Sequence, residues 1–233
     1  PRGRRAGGVE PRLEGVPGTF ENAPVAEVAT RCCAAVVSGA VGTLAAALSA
    51  GLPVVEVGAF VSPKWVPQMA GSDEVLRRVS KPEGVRLPVL VPNRTGFDLA
   101  RAAGAREIAV FTAASETFSR RNTNASIDES FSRFAEVVPE ARREGIRVRG
   151  YVSTCFGCPF EGDVPVARVA ELSARLLEDC GAFEVAVSDT IGVAHPGSVQ
   201  RVLDAVLTRV PVERVALHFH DTRGTALANV LAA

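Results

Sequence analysis

The sequence predicts an α/β fold of parallel strands, on three observations. After residue 50 a unit recurs: a helical pattern, a glycine able to close a helix in the left-handed conformation, then a short β-rich run ending in a polar residue. The glycines ahead of four such runs are Gly51, Gly104, Gly145 and Gly181. Between the runs lie stretches with apolar residues three and four apart, and strands that alternate with helices of this length pair in parallel through crossover connections.

In chain order the expected strands are 54–60 (VVEVGAF), 87–92 (LPVLVP), 107–114 (EIAVFTAA), 147–154 (RVRGYVST), 183–189 (FEVAVSD) and 214–220 (RVALHFH). Amphipathic helices are expected at 126–144 and 165–180, the first opened by Ser126 with Glu129 three residues on, a capping box. The stretch 114–122 (ASETFSRRN) reads as a polar, partly basic loop, and His195, ahead of Pro196, as an exposed loop residue. Residues 1–50 stand apart as an atypical, poorly packed segment, leaving 51–233 as the α/β domain. The opening PRGRRAGGVEPRLEG is Arg/Gly-rich without a strand pattern. From Cys32 to Val55 no residue is charged, a run long enough to span a bilayer, but it is mostly Ala, Gly and Ser and is interrupted by Gly51-Leu52-Pro53, which argues against a membrane helix.

With 47% hydrophobic and 22% charged residues, the 233-residue chain can bury a full core. Lys+Arg and Asp+Glu balance at 26 each, so no basic field attracts nucleic acid or an acidic membrane surface. Five cysteines, two of them adjacent at Cys32 and Cys33, do not suggest a disulfide framework and favour a reducing compartment. Cys155 and Cys158 form a C-x-x-C, but only Cys180 follows, so a zinc site lacks its second pair.

Parallel strands bring their C-terminal ends to one face, where α/β barrels hold their chemistry. The residues at those ends are Glu56, Asn93, Ser115, Ser153, Asp189 and the pair His218 and His220. In an extended strand, residues two apart share a face, so both imidazoles can reach one metal ion while Phe219 turns into packing. Imidazoles with carboxylates and no thiolate suit Mg²⁺ or Mn²⁺, with Zn²⁺ also admissible. Each residue has a plainer reading as well. Glu56 is either a solvated strand-end carboxylate or a functional one, and Asp189 in SDTIG either caps the following turn or joins the site. Arg149, inside a strand, needs an anionic partner, either an internal carboxylate or that of a substrate.

Five stretches then carry a resemblance: VVEVGAFVSPKWVPQM (54–69), FTAASETFSRRN (111–122), RGYVSTCFGCPFEG (149–162), SDTIGVAHPG (188–197) and LHFHDTRGTALAN (217–229). From about residue 50 onward the chain resembles the 3-hydroxy-3-methylglutaryl-CoA lyases of the metal-dependent lyase and Claisen-condensing barrel superfamily. The resemblance implies a partial TIM (β/α)8 barrel of about six recognisable strands, its first strand doubtful and its eighth absent. It implies an acyl-CoA substrate, 3-hydroxy-3-methylglutaryl-CoA, cleaved to acetyl-CoA and acetoacetate with a divalent cation, Mg²⁺ or Mn²⁺. Residue by residue, it implies that His218 and His220 ligate the metal, that Glu56 and Asp189 support metal and substrate, and that Arg149 holds the substrate near its reacting carbons. A homodimer is compatible with it, as is a bacterial cytoplasm or, in a eukaryote, the mitochondrial matrix. The family's Arg-Asp-Gly-Leu-Gln motif is not found before residue 50, nor its Gly-Gly-Cys-Pro loop after it, so this chain is expected to be incomplete and weakly active or inactive. Cys155 and Cys158 do not take the place of that loop's cysteine. The alternatives are an acyl-CoA-condensing synthase of the same superfamily and a non-catalytic partial-barrel protein.

Overall fold

The computed structural model describes residues 35–36, 41–79 and 81–233. The main sheet has six parallel strands: β3 (Gly58–Ala59), β4 (Val89–Leu90), β5 (Glu107–Ala113), β6 (Arg147–Ser153), β7 (Val185–Asp189) and β8 (Val215–Phe219). Their spatial order follows the chain, each strand pairing with the next in sequence, the arrangement of a singly wound α/β barrel. Two further short strands, β1 (Ala35–Val36) and β2 (Val55–Glu56), pair in parallel beside it. The helices are α1 (Val41–Ser49), α2 (Ser72–Arg78), α3 (Arg94–Ala102), α4 (Glu116–Thr123), α5 (Ile127–Arg143), α6 (Val166–Glu178), α7 (Pro196–Leu207) and α8 (Ala226–Ala232).

Every second residue of the strands packs outward against the helices. Ile108 and Val110 of β5, Val148 and Val152 of β6, and Val185 and Val187 of β7 share one core with Phe134, Val137 and Val138 of α5 and with Leu172 and Leu176 of α6. Gly150 marks a close approach of helix to strand: a Cβ built there would lie 3.0 Å from both Cβ and Cδ1 of Leu176, so α6 seats on β6 only over a residue without a side chain.

The long strands lie where the sequence places them. The run expected at 54–60 is instead broken in two. The Val57 amide bonds to Pro88 O and the Phe60 amide to Leu90 O, three residues on one strand against two on the other, and this bulge separates β2 from β3. The 87–92 run shortens to Val89–Leu90, flanked by Pro88 and Pro92, which have no amide to donate. The capping box of α5 is present as read, with Ser126 and Glu129 bonding reciprocally. Residues 114–122, read as a loop, hold all but the last residue of α4. Ser115 accepts from the Phe118 amide at its start and Asn124 closes it in the left-handed conformation, and these caps hold a short polar helix that has little apolar periodicity to announce it.

Of the segment set apart at 1–50, residues 1–34 and 37–40 lie outside the described residues. Within the rest, β1 pairs Ala35 with Val55 and Val36 with Glu56, and α1 contributes Leu44 and Ala47 to the core. At nine residues α1 is about 14 Å long, under half a bilayer's hydrocarbon thickness. Among the described residues no helix is long and apolar enough to cross a membrane.

Candidate active site

The register of the central strands determines which side chains converge. Tyr151 pairs with Ala186, Ala186 with Ala216, and Ser188 with His218. Partners across a ladder share a face, so Arg149 and Tyr151 of β6, Ser188 of β7 and His218 of β8 all point away from the helices, into the concave side of the sheet. Four of the five sequence-predicted site residues can be placed there.

Glu56 lies at the C-terminal end of β2 and is only 6% exposed. The Tyr151 hydroxyl donates to its Oε2 at 2.5 Å, reaching across the strands that separate β2 from β6. Arg149 Nη1 in turn donates to Tyr151 Oη at 3.3 Å, and the guanidinium carbon lies 5.1 Å from the tyrosine ring centre. Arg149 Nε is 2.6 Å from Glu184 Oε1, an ion pair whose geometry falls short of a directed hydrogen bond. The internal partner left open for Arg149 is therefore Glu184. Burial raises the Glu56 carboxyl from 4.5 to about 7, against the opposing pull of the Tyr151 hydroxyl and then the Arg149 charge. The Tyr151 phenol is raised well above its usual value, first by burial and then by the negative charge of Glu56.

His218 and His220 leave β8 side by side, their ring centres 4.9 Å apart and their planes inclined at 41°. Burial, the neighbouring His220 and then the Arg149 charge push His218 down to about 4. Burial also lowers His220, against the attraction of Asp189. Both shifts favour the neutral imidazole, the form that binds a metal ion.

Asp189 is 1% exposed, but its register partner is Phe219, not His218, which starts it on the opposite face of the sheet. Its two oxygens accept the amides of Val193, at 2.9 Å, and Ala194, at 3.0 Å. Of its two sequence readings, the turn cap is the one these bonds describe. Asn93 and Ser115, also at strand ends, cap α3 and α4. Cys155 donates to Val152 O with its thiol pushed far up by burial, and Cys158 donates to Ser115 Oγ, so this C-x-x-C serves packing. His195 is exposed, as read.

Sequence reasoning passed over Tyr151 and Glu184. The signal for the tyrosine was available: it is the only one in the chain and lies two residues beyond Arg149, on the same strand face. For the metal, the donor chemistry fits in part. His218 and His220 are two neutral imidazoles suited to a divalent cation, while among the described residues no three His, Cys, Asp or Glu side chains gather into a metal-holding group.

The model described as HMGL-like covers residues 34–233. The chain belongs to the HMGL-like family. The HMGL-like region thus starts ahead of β1 and α1, further toward the N-terminus than the resemblance read from residue 50 onward. The mitochondrial hydroxymethylglutaryl-CoA lyase of Bos taurus is 55% identical over 184 residues, covering 79% of this chain and 56% of that protein. The hydroxymethylglutaryl-CoA lyase of Pseudomonas mevalonii is 52% identical over 197 residues, covering 84% and 65%. Among solved structures, hydroxymethylglutaryl-CoA lyase from Pseudomonas aeruginosa superposes with a TM-score of 0.78 at 50% identity, covering 84% of this chain and 66% of that one. An HMG-CoA lyase from Acinetobacter, in complex with coenzyme A and 3-methylmalate, gives 0.77 at 35% identity, covering 82% and 62%. The six-stranded sheet is accordingly part of a TIM barrel, and the chain spans a little over half the length of the bovine relative.

Proposed function

We propose that the protein cleaves 3-hydroxy-3-methylglutaryl-CoA, or a close 3-hydroxy-3-alkylglutaryl-CoA, to acetyl-CoA and a 3-oxo acid. The observation that carries the reading is the His218–His220 pair on the same concave face as the Glu56–Tyr151–Arg149 chain. The names of the relatives support it.

His218 and His220 would hold Mg²⁺ or Mn²⁺, which when bound supplies a Lewis acid for the substrate's hydroxyl and carboxylate oxygens. Two neutral imidazoles leave the charge of the cation uncancelled, where carboxylates would offset it. The rest falls to the chain's own groups. Arg149, with its guanidinium buried and its Nη1 turned to Tyr151, offers positive charge beside the place where an anionic substrate carboxylate and developing enolate would lie. Glu56, poised at about 7, can exchange a proton near neutral pH, and the Tyr151 hydroxyl holds its Oε2 in a fixed direction. Asp189 acts from behind, through the turn it caps and through its charge on His220. Relatives are described as mitochondrial and others are bacterial, and the mitochondrial matrix or the bacterial cytoplasm is the corresponding location.

The test is acetoacetate release from 3-hydroxy-3-methylglutaryl-CoA by the full-length protein with Mn²⁺ or Mg²⁺. His218→Ala is expected to lower turnover on the order of 10²–10⁴-fold. Turnover that survives both chelation and this substitution would refute the reading. Condensation of acetyl-CoA with a 2-oxo acid in place of cleavage would favour a synthase instead.

A further inference from the structure

The turn capped by Asp189 and the segment that follows His220 are tied together by bonds that the reaction itself does not need. Ala194, 2% exposed, is the junction. Its amide donates to Asp189 Oδ2 at 3.0 Å, while its carbonyl accepts from Thr225 Oγ1 and from Asn229 Nδ2, each at 3.0 Å. Two residues earlier, Gly192 O accepts from Arg223 Nη1 at 2.8 Å. The loops also touch: a Cβ at Gly192, whose φ is +63°, would lie 2.5 Å from Thr222 Oγ1 and 2.6 Å from its Cβ. From the other side, Asp221 Oδ1 accepts the Ala226 amide at 2.9 Å and so draws the residue after His220 onto the start of α8.

Asn229 is the costly member of this set. It is fully buried, and its Oδ1 has no hydrogen-bond partner among the described residues. A buried carboxamide half unsatisfied is unfavourable compared with an apolar residue of the same size, so packing alone does not account for an asparagine here. Its Nδ2 is the half in use, and the single acceptor it meets belongs to the peptide segment whose amides hold Asp189.

We propose that Asn229, seconded by Thr225, is a positioning residue: through Ala194 it locks the Asp189 turn against α8 and so sets where His220 stands relative to His218 and Asp189. This rests on the reading of His218 and His220 as a cation site only for its consequence, not for the brace itself. The brace is a second layer behind the imidazoles, and partners of that kind commonly change metal affinity by about 10–100-fold when removed.

The experiment uses full-length protein with two readouts: the Mn²⁺ dissociation constant from the electron paramagnetic resonance of free Mn²⁺, and hydrogen exchange at the Val193 and Ala194 amides in metal-free protein. Asn229→Ala and Thr225→Val are each expected to speed exchange at both amides and to weaken Mn²⁺ binding about tenfold or more. Thr225→Ser, which keeps the hydroxyl, should restore both. Val202→Ala, in the buried core of α7, is the control for lost stability alone. If Asn229→Ala lowers the melting temperature as Val202→Ala does and leaves Mn²⁺ affinity and the two amides at the control's values, the brace is overturned. If the amides respond while His218→Ala leaves Mn²⁺ binding intact, the brace stands and the cation site fails. Should Asn229→Ala not fold, the Thr225 pair decides alone.

Discussion

Replacing Glu56 by glutamine should stabilise the protein, and by an amount set by pH. Glu56 has its carboxyl raised from 4.5 to about 7, first by burial. Between those two values the folded protein keeps a proton on Glu56 that the unfolded chain has released, so the free energy of unfolding falls as pH rises through this window. Below 4.5 both states are protonated and the residue behaves as a neutral amide would. Above about 8 the full penalty of a buried charge applies. At about 1.4 kcal/mol per pH unit, the separation amounts to roughly 3 kcal/mol. Glutamine has nearly the same shape and never ionises. Glu56→Gln is therefore expected to add little at pH 4.5 and roughly 3 kcal/mol at pH 8, with the melting temperature moving by about 2–4 °C for each kcal/mol in a domain of this size. Other titrating groups cancel in the difference between the two proteins. The assay is urea unfolding of both proteins at several pH values in the presence of a chelator, with acetoacetate release measured alongside, where activity is expected to be lost. A gain of equal size at all pH values, or a loss at pH 8, would refute the account of Glu56 as a carboxyl lifted by desolvation.

Arg149→Gln removes the charge that helps hold Glu56 down, so the group titrating near 7 should move to higher pH, visible as an alkaline displacement of the acid limb of the kcat/KM profile. With His218 held near 4 and His220 lowered, Mn²⁺ affinity should fall less between pH 7 and 5.5 than for ordinary imidazoles, which lose about tenfold once the pH is one unit below their 6.5, as a pH series of Mn²⁺ titrations would show. Gly150→Ala should cost about 1–3 kcal/mol by forcing α6 off β6, measured as a lower urea midpoint at unchanged slope.

Much of the fold was legible because each long strand carries its own boundary. Gly104, Gly145 and Gly181 take left-handed conformations ahead of β5, β6 and β7, and a parallel sheet buried on both sides leaves runs such as IAV and VAV unbroken. The site was legible as residue types. His218 and His220 two apart on a strand, and a charged Arg149 within one, are visible without coordinates. Helix α4 was not, because its support is the cap at each end rather than an apolar stripe, and caps resemble loop chemistry in a sequence.

What the sequence by itself determined, then, is the alternation of helix and strand, the parallel pairing and the face each strand residue takes relative to its neighbours on that strand, since all of these follow from local sterics and periods of 2.0 and 3.6. Only the tertiary structure decided which strand faces meet. Tyr151 and Glu56 are 95 residues apart, and their contact exists because the sheet curves. Asp189 and His218 are both strand-end polar residues, yet a register pairing Asp189 with Phe219 turns the aspartate to its own turn. The ionisation states follow the same division. A strand-end glutamate in water titrates near 4.5, and this one is raised to about 7, because desolvation is a property of the volume the other strands enclose and not of the residue or its neighbours in the chain.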